Sequence, residues 1–181
     1  MICNRQRRVR LDVKGLEDFA LEVAEELNLG KRWFDVGLVD DAEMQKLNSA
    51  FRRKKTPTDV LSFPWARDAA PPGVSGIFQR ELEGFLGDIV ISAQTAARDA
   101  AEECITLNLK IRQLILHGAL HLLGYDHQTD HGEMLALERE SRCSLRIDSS
   151  VPSLGIQRTK RRKRVKPYPR LPARTRKGVT A

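Results

Sequence analysis

Gly87-Asp88-Ile89-Val90-Ile91-Ser92 is a compact apolar run of the kind found in a strand covered on both faces. Ser92 offers a side-chain oxygen to cap the alanine-rich segment that follows, a helix expected to reach about Thr106. A central strand that feeds directly into a helix points to a layered protein. Downstream, residues 108 to 123 are mostly apolar, which predicts a buried helix. A shorter helix over 131–145 packs through Met134, Leu135 and Leu137. Upstream, Thr58 to Phe63 is strand-like and stopped by Pro64, and Trp33 to Val39 reads as another strand. Asp40 with Glu43 three residues on forms a capping-box pattern for a helix carrying Met44, Leu47 and Phe51. Val9-Arg10-Leu11-Asp12-Val13 alternates apolar and polar residues and predicts a first strand. Leu16, Phe19, Ala20, Val23, Ala24 and Leu27 then recur at helical spacing as far as Leu29-Gly30. Residues 65–84, rich in proline and glycine, read as a loop. The expected class is α+β in α/β layers: a mixed sheet of about four strands with about five helices, the strand and helix counts good to one or so.

Charge divides the chain of 181 residues in two. There are 31 Lys and Arg against 24 Asp and Glu, a formal net charge of +7. Eleven of the basic residues lie between Arg158 and Lys177, and the last acidic residue is Asp148. Residues 1–157 therefore hold 20 basic against 24 acidic residues, a formal charge of −4. Residues 1–148 are expected to form one domain, and 149–181 a basic, disordered tail that binds polyanions through counterion release. The three cysteines, Cys3, Cys104 and Cys143, have no paired spacing and suggest neither a disulfide framework nor a zinc ribbon. The N-terminus turns polar at once and no apolar stretch is long enough to span a bilayer, so a cytoplasmic protein without membrane partners is expected.

All four histidines fall in His117-Gly118-Ala119-Leu120-His121-Leu122-Leu123-Gly124-Tyr125-Asp126-His127-Gln128-Thr129-Asp130-His131. On a helix, His117 and His121 project from one face about a turn apart. Gly124 can end that helix, letting the chain return His127 to the same ion. Three imidazoles with one position open make the ligand set of a catalytic zinc site; iron, nickel and copper also fit nitrogen ligands. Asp126 reads as the carboxylate that orients a ligating ring. His131 reads as an exposed or capping residue. The spacing matches that of metzincin peptidases, whose general base is the glutamate after the first histidine. Gly118 stands in that place and can exchange no proton.

The block from His117 to His127 resembles the signature of the YbeY family, bacterial rRNA-maturation endoribonucleases. Asn4-Arg5-Gln6, Leu38-Val39-Asp40-Asp41, Leu47-Asn48, Phe51-Arg52, Pro57 to Pro64 and Leu86 to Ser92 resemble its other blocks in order, over about residues 3–147. The resemblance implies a single-strand-specific, zinc-dependent endoribonuclease with a zincin-like site. Such enzymes act in 16S rRNA 3′-end maturation and late 70S ribosome quality control. It implies one zinc ion on His117, His121 and His127, no small-molecule cofactor, and a functional arginine at Arg52. Single-stranded RNA, 16S rRNA and ribosomal particles are the implied partners. Arg53, Lys54 and Lys55, beside Arg52, are expected RNA contacts, and Arg5, Arg7 and Arg8 are further candidates. His117 and Arg52 carry the implied catalysis, Arg52 by clamping the scissile phosphate. The nucleophile is either a water activated at the metal or the RNA 2′-hydroxyl. Three features depart from the family pattern: His131, where an acidic residue is common, the segment 66–84 and the basic tail. The rival readings are a metallopeptidase, disfavoured by Gly118, and a non-catalytic ribosome-assembly factor with a structural metal, disfavoured by the open ligand position.

Overall fold

The computed structural model describes residues 1–65, 83–126 and 130–148. The expected tail 149–181, His127 and most of the expected loop 65–84 lie outside the described residues. In chain order the elements are β1 (Ile2–Asn4), α1 (Val13–Glu26), β2 (Trp33–Val39), α2 (Asp41–Arg52), β3 (Val60–Pro64), β4 (Phe85–Ser92), α3 (Ala93–Glu102), α4 (Leu107–Leu122) and α5 (Glu133–Ser144). The strands form one mixed sheet in the order β1-β2-β4-β3. β1, β2 and β4 are parallel, and β3 runs antiparallel to β4 at the edge. The α+β class expected from the sequence is the one observed.

One strand differs from the expectation. Residues 9–13 are not a strand, and β1 lies at Ile2–Asn4. The buried side chain of Gln6 takes over the backbone groups of the 6–9 turn: its Oε1 accepts from the N–H groups of Arg8 and Val9, and its Nε2 donates to the Val9 carbonyl. Asp12 then accepts from the Gly15 N–H and starts α1. Leu11 and Val13 pack on the core from a turn and a helix start, which produces the same alternation as a strand.

Side-chain alternation gives the sheet two unlike faces. Val36, Leu38, Ile89 and Ile91 meet α1 and α4 in the main core, joined by Leu16, Phe19 and Val23 of α1. The opposite face holds a small cluster, Val39, Met44 and Leu61, beneath α2. α4 is buried nearly all round, as its composition predicts. It approaches β4 so closely that a Cβ on Gly118 would lie 2.6 Å from Cγ2 of Ile89. Ile89 is fully buried and β-branched, so it cannot swing away. Gly118→Ala is therefore expected to destabilise the protein by about 1–2 kcal/mol, overpacking outweighing the better helix propensity of alanine. Urea melts check this, and equal or greater stability would contradict the close packing.

α2 is anchored at both ends. At its start, Asp40 caps the Glu43 N–H, and the Asp41 carboxylate accepts from Ser92, Thr95 and Arg98 around the start of α3. Burial would raise the Asp41 pKa, but these hydrogen bonds and the Arg98 charge outweigh it and hold the carboxyl below its ordinary range. At its end, buried Asn48 donates from Nδ2 to the Thr56 carbonyl at 2.7 Å. The backbone carbonyl of Asn48 accepts from the N–H groups of Arg53 and Lys54. The basic turn Arg53–Lys55 is thereby tied to the helix that carries Arg52.

Candidate functional site

α4 places His117 and His121 on one face, as their spacing predicts. Their Nε2 atoms are 3.1 Å apart and their rings meet edge to face, with centroids 4.7 Å apart. Gly124 ends the helix with φ +89°, a left-handed conformation suited to glycine, and its N–H donates to the His121 carbonyl. The chain therefore turns at the residue the sequence singles out, three positions before His127.

The ring of His117 is held from behind. Its Nδ1 lies 3.3 Å from Oε2 of Glu138 on α5, and Oε1 of the same carboxylate accepts from Nη2 of Arg142 at 2.6 Å. Burial works to raise the Glu138 pKa, but the hydrogen bond with His117 and the charge of Arg142 outweigh it and hold the carboxyl below its ordinary range. An anionic Glu138 takes the Nδ1–H, which leaves the His117 lone pair on Nε2, facing His121. Two imidazole nitrogens on one tetrahedral ion at the usual zinc–nitrogen length are separated by roughly 3.3 Å, so the pair fits a metal of that class. Among the described residues no third histidine, cysteine, aspartate or glutamate joins them. The third place assigned from the sequence belongs to His127.

Glu138 is a positioning residue not foreseen from the sequence, in addition to the role expected of Asp126. The backbone carbonyl of Asp126 accepts from the Asp130 N–H and so braces the turn after α4. The signal for Glu138 was present: Met134, Glu138 and Ser141 form the buried stripe of α5, and a glutamate in such a stripe needs a partner. Leu135, expected to pack, is exposed instead. His131 is exposed, and its backbone N–H donates to Glu133. Glu138→Gln is expected to weaken metal binding about 10- to 100-fold, since the amide holds the ring without the charge. Competition against a chromophoric chelator measures it, and unchanged affinity would remove Glu138 from the site.

Arg52 is the last residue of α2 and is exposed, with no hydrogen bond or ion pair among the described residues. Arg53, in a left-handed conformation at φ +58°, closes the helix, and Lys54 and Lys55 follow, all exposed. The structure thus groups these four cations at one helix end. Arg5 is differently placed: it pairs with Glu43 at 3.0 Å. Ser62, on the α4 side of edge strand β3, donates to the carbonyl of Gly118 at 3.3 Å, which sets β3 against the histidine helix. Gly118 thus lies between Ile89 and Ser62. A glutamate there, the peptidase base, would collide with Ile89.

A family model described as Endoribonuclease YbeY matches residues 1–146. The chain belongs to the YbeY family. Relatives named Endoribonuclease YbeY include one from Nautilia profundicola, 48% identical over 114 residues, covering 63% of this chain and 73% of that protein. Another, from Solibacter usitatus, is 38% identical over 136 residues, covering 75% of this chain and 81% of its own length. The solution structure of TM1509 from Thermotoga maritima is similar with a TM-score of 0.50 and 25% identity, over 86% of this chain and all of that one. The YbeY match takes in every described strand and helix and stops before the basic run at 158–177. No helix among the described residues is long and apolar enough to cross a membrane.

Proposed function

We propose that this YbeY chain is a zinc-dependent, single-strand-specific endoribonuclease acting in 16S rRNA 3′-end maturation and late 70S ribosome quality control in the cytoplasm. The observation that supports it most is the facing His117 and His121 nitrogens, 3.1 Å apart, with Glu138 fixing the lone pair of His117. His127 is the third ligand of the proposal. A bound zinc ion would supply Lewis acidity, bringing water ionisation towards neutrality and stabilising phosphoryl charge. The protein's own part is to hold the imidazoles by Glu138 and Arg142 and to present Arg52 to the scissile phosphate. A guanidinium meets two phosphoryl oxygens in a fork and stabilises charge that grows in the transition state. No carboxylate follows His117, so the peptidase arrangement has no base in its usual place.

Chelation is expected to abolish cleavage of single-stranded RNA by the full chain. Zinc should restore it, and duplex RNA should resist throughout. Cleavage that persists in metal-free protein would overturn the metal assignment. A 5′-phosphate product end supports water as nucleophile with the 3′-oxygen leaving, and a 2′,3′-cyclic phosphate supports the 2′-hydroxyl.

A further inference from the structure

A cavity of about 400 Å³ opens on the sheet face opposite α4. Its floor includes Gly37 of β2, which faces open space: a Cβ there would touch only Val90, at 3.9 Å. Its wall includes Phe51 of α2 and Phe63 of β3, whose rings meet edge to face with centroids 4.9 Å apart. Phe51 was expected to pack with Met44 and Leu47, but it is 66% exposed. It therefore offers a free aromatic surface at the residue preceding Arg52.

The charged groups of the cavity are two ion pairs, the Met1 amine with Asp35 and Arg5 with Glu43, together with Asp88. Asp35 and Asp88 are register partners on β2 and β4, and both line it. Asp35 accepts from the N-terminal amine at 2.7 Å, whereas the Asp88 carboxylate has no hydrogen-bond or ion-pair partner among the described residues. Desolvation by its surroundings and the neighbouring Asp35 push the Asp88 pKa up, although the residue is exposed and open to a ligand.

An aromatic wall, two cations already held by carboxylates and an Asp88 without a partner among the described residues do not suit a phosphate, which that carboxylate would repel. They suit a base whose flanking phosphates stay outside. Such a cavity is large enough for a small planar ligand. We propose that it is a nucleobase subsite: one unstacked base of the single-stranded RNA packs on Phe51 and donates from its edge to Asp88, while flanking phosphates meet Arg52–Lys55. The proposal rests on the RNA-cleavage reading. It connects to the histidines through β3, since Phe63 of that edge strand faces the cavity and Ser62 faces α4. An RNA strand crossing that edge would reach both sides. Guanine is the expected preference, because its N1–H and N2–H₂ can donate to both oxygens of one carboxylate.

The test uses the full chain as purified, with 2′-O-methyl RNA decamers that differ only at one central position: guanine, uracil or abasic. Fluorescence anisotropy at fixed salt gives Kd, and any contact from the basic tail is common to all probes. Wild type should bind the guanine probe about 5- to 100-fold more tightly than the abasic one. Phe51→Leu should erase most of that ratio while melting temperature and metal content stay unchanged. Asp88→Asn should remove the guanine-over-uracil preference. Equal binding of guanine and abasic probes by wild type would overturn the subsite, as would a wild-type ratio in Phe51→Leu. A variant that keeps the ratio but loses a protein partner would make this face a protein-docking surface, also against the proposal. Cleavage of unmodified RNA, assayed in parallel, shows separately whether the ribonuclease reading stands.

Discussion

Replacing His121 with alanine is expected to remove the metal and RNA cleavage together, with the fold intact. His121 lies in the last turn of α4, and its ring nitrogen faces that of His117. Alanine is the best helix former, so the backbone loses nothing at this position. What is lost is one of the proposed nitrogen ligands and the partner of the Nε2 that Glu138 orients. The Lewis acid is worth several kcal/mol of transition-state stabilisation, so the expected fall in rate is roughly a thousandfold or more. Elemental analysis and a single-turnover assay on the same preparation read both effects. Metal bound at full stoichiometry, or cleavage retained without metal, would refute the assignment of His121 as a ligand that carries the chemistry.

Arg52→Ala is expected to act on a different quantity. Metal content should stay at the wild-type level, and kcat/KM should fall about 10²- to 10³-fold, the scale for removing one preorganised donor to a developing anion. Arg52 is exposed and unpaired among the described residues, so the stability change should be only the loss of a favourable charge at a helix C-terminus, about 0.3–1 kcal/mol. Arg52→Lys should recover only part of the rate, because an ammonium cannot meet two phosphoryl oxygens in one plane. Unchanged cleavage in Arg52→Ala would reduce Arg52 to a solvated helix end.

The two variants probe features that were not equally legible in the sequence. Helical spacing is a local property, so His117 and His121 could be paired from the sequence alone and Gly124 recognised as the stop. The caps at Asp40 and Ser92 were legible for the same reason, since each bonds an N–H three residues away. The false strand at 9–13 arose because alternation records which residues are buried, and a turn bonded by Gln6 can bury the same residues as a strand. Phe51 sits on the apolar period of α2, yet the cavity it lines has Gly37 on the sheet side, and the residue stays about two-thirds exposed.

What the sequence determined by itself was the set of chemical groups: three histidines at a metal-binding spacing, no base after the first of them, a basic cluster closing α2 and a basic run beyond the matched body. Only the tertiary structure decided what those groups rest on. Glu138 reaches His117 from a separate helix, Gly118 is required by Ile89 of β4, and Asp88 lies beside Asp35 through strand pairing. Each of these contacts joins residues 21 to 53 positions apart. Periodicity and capping carry information over about one helical turn, so contacts at that range are set by the packing of whole elements.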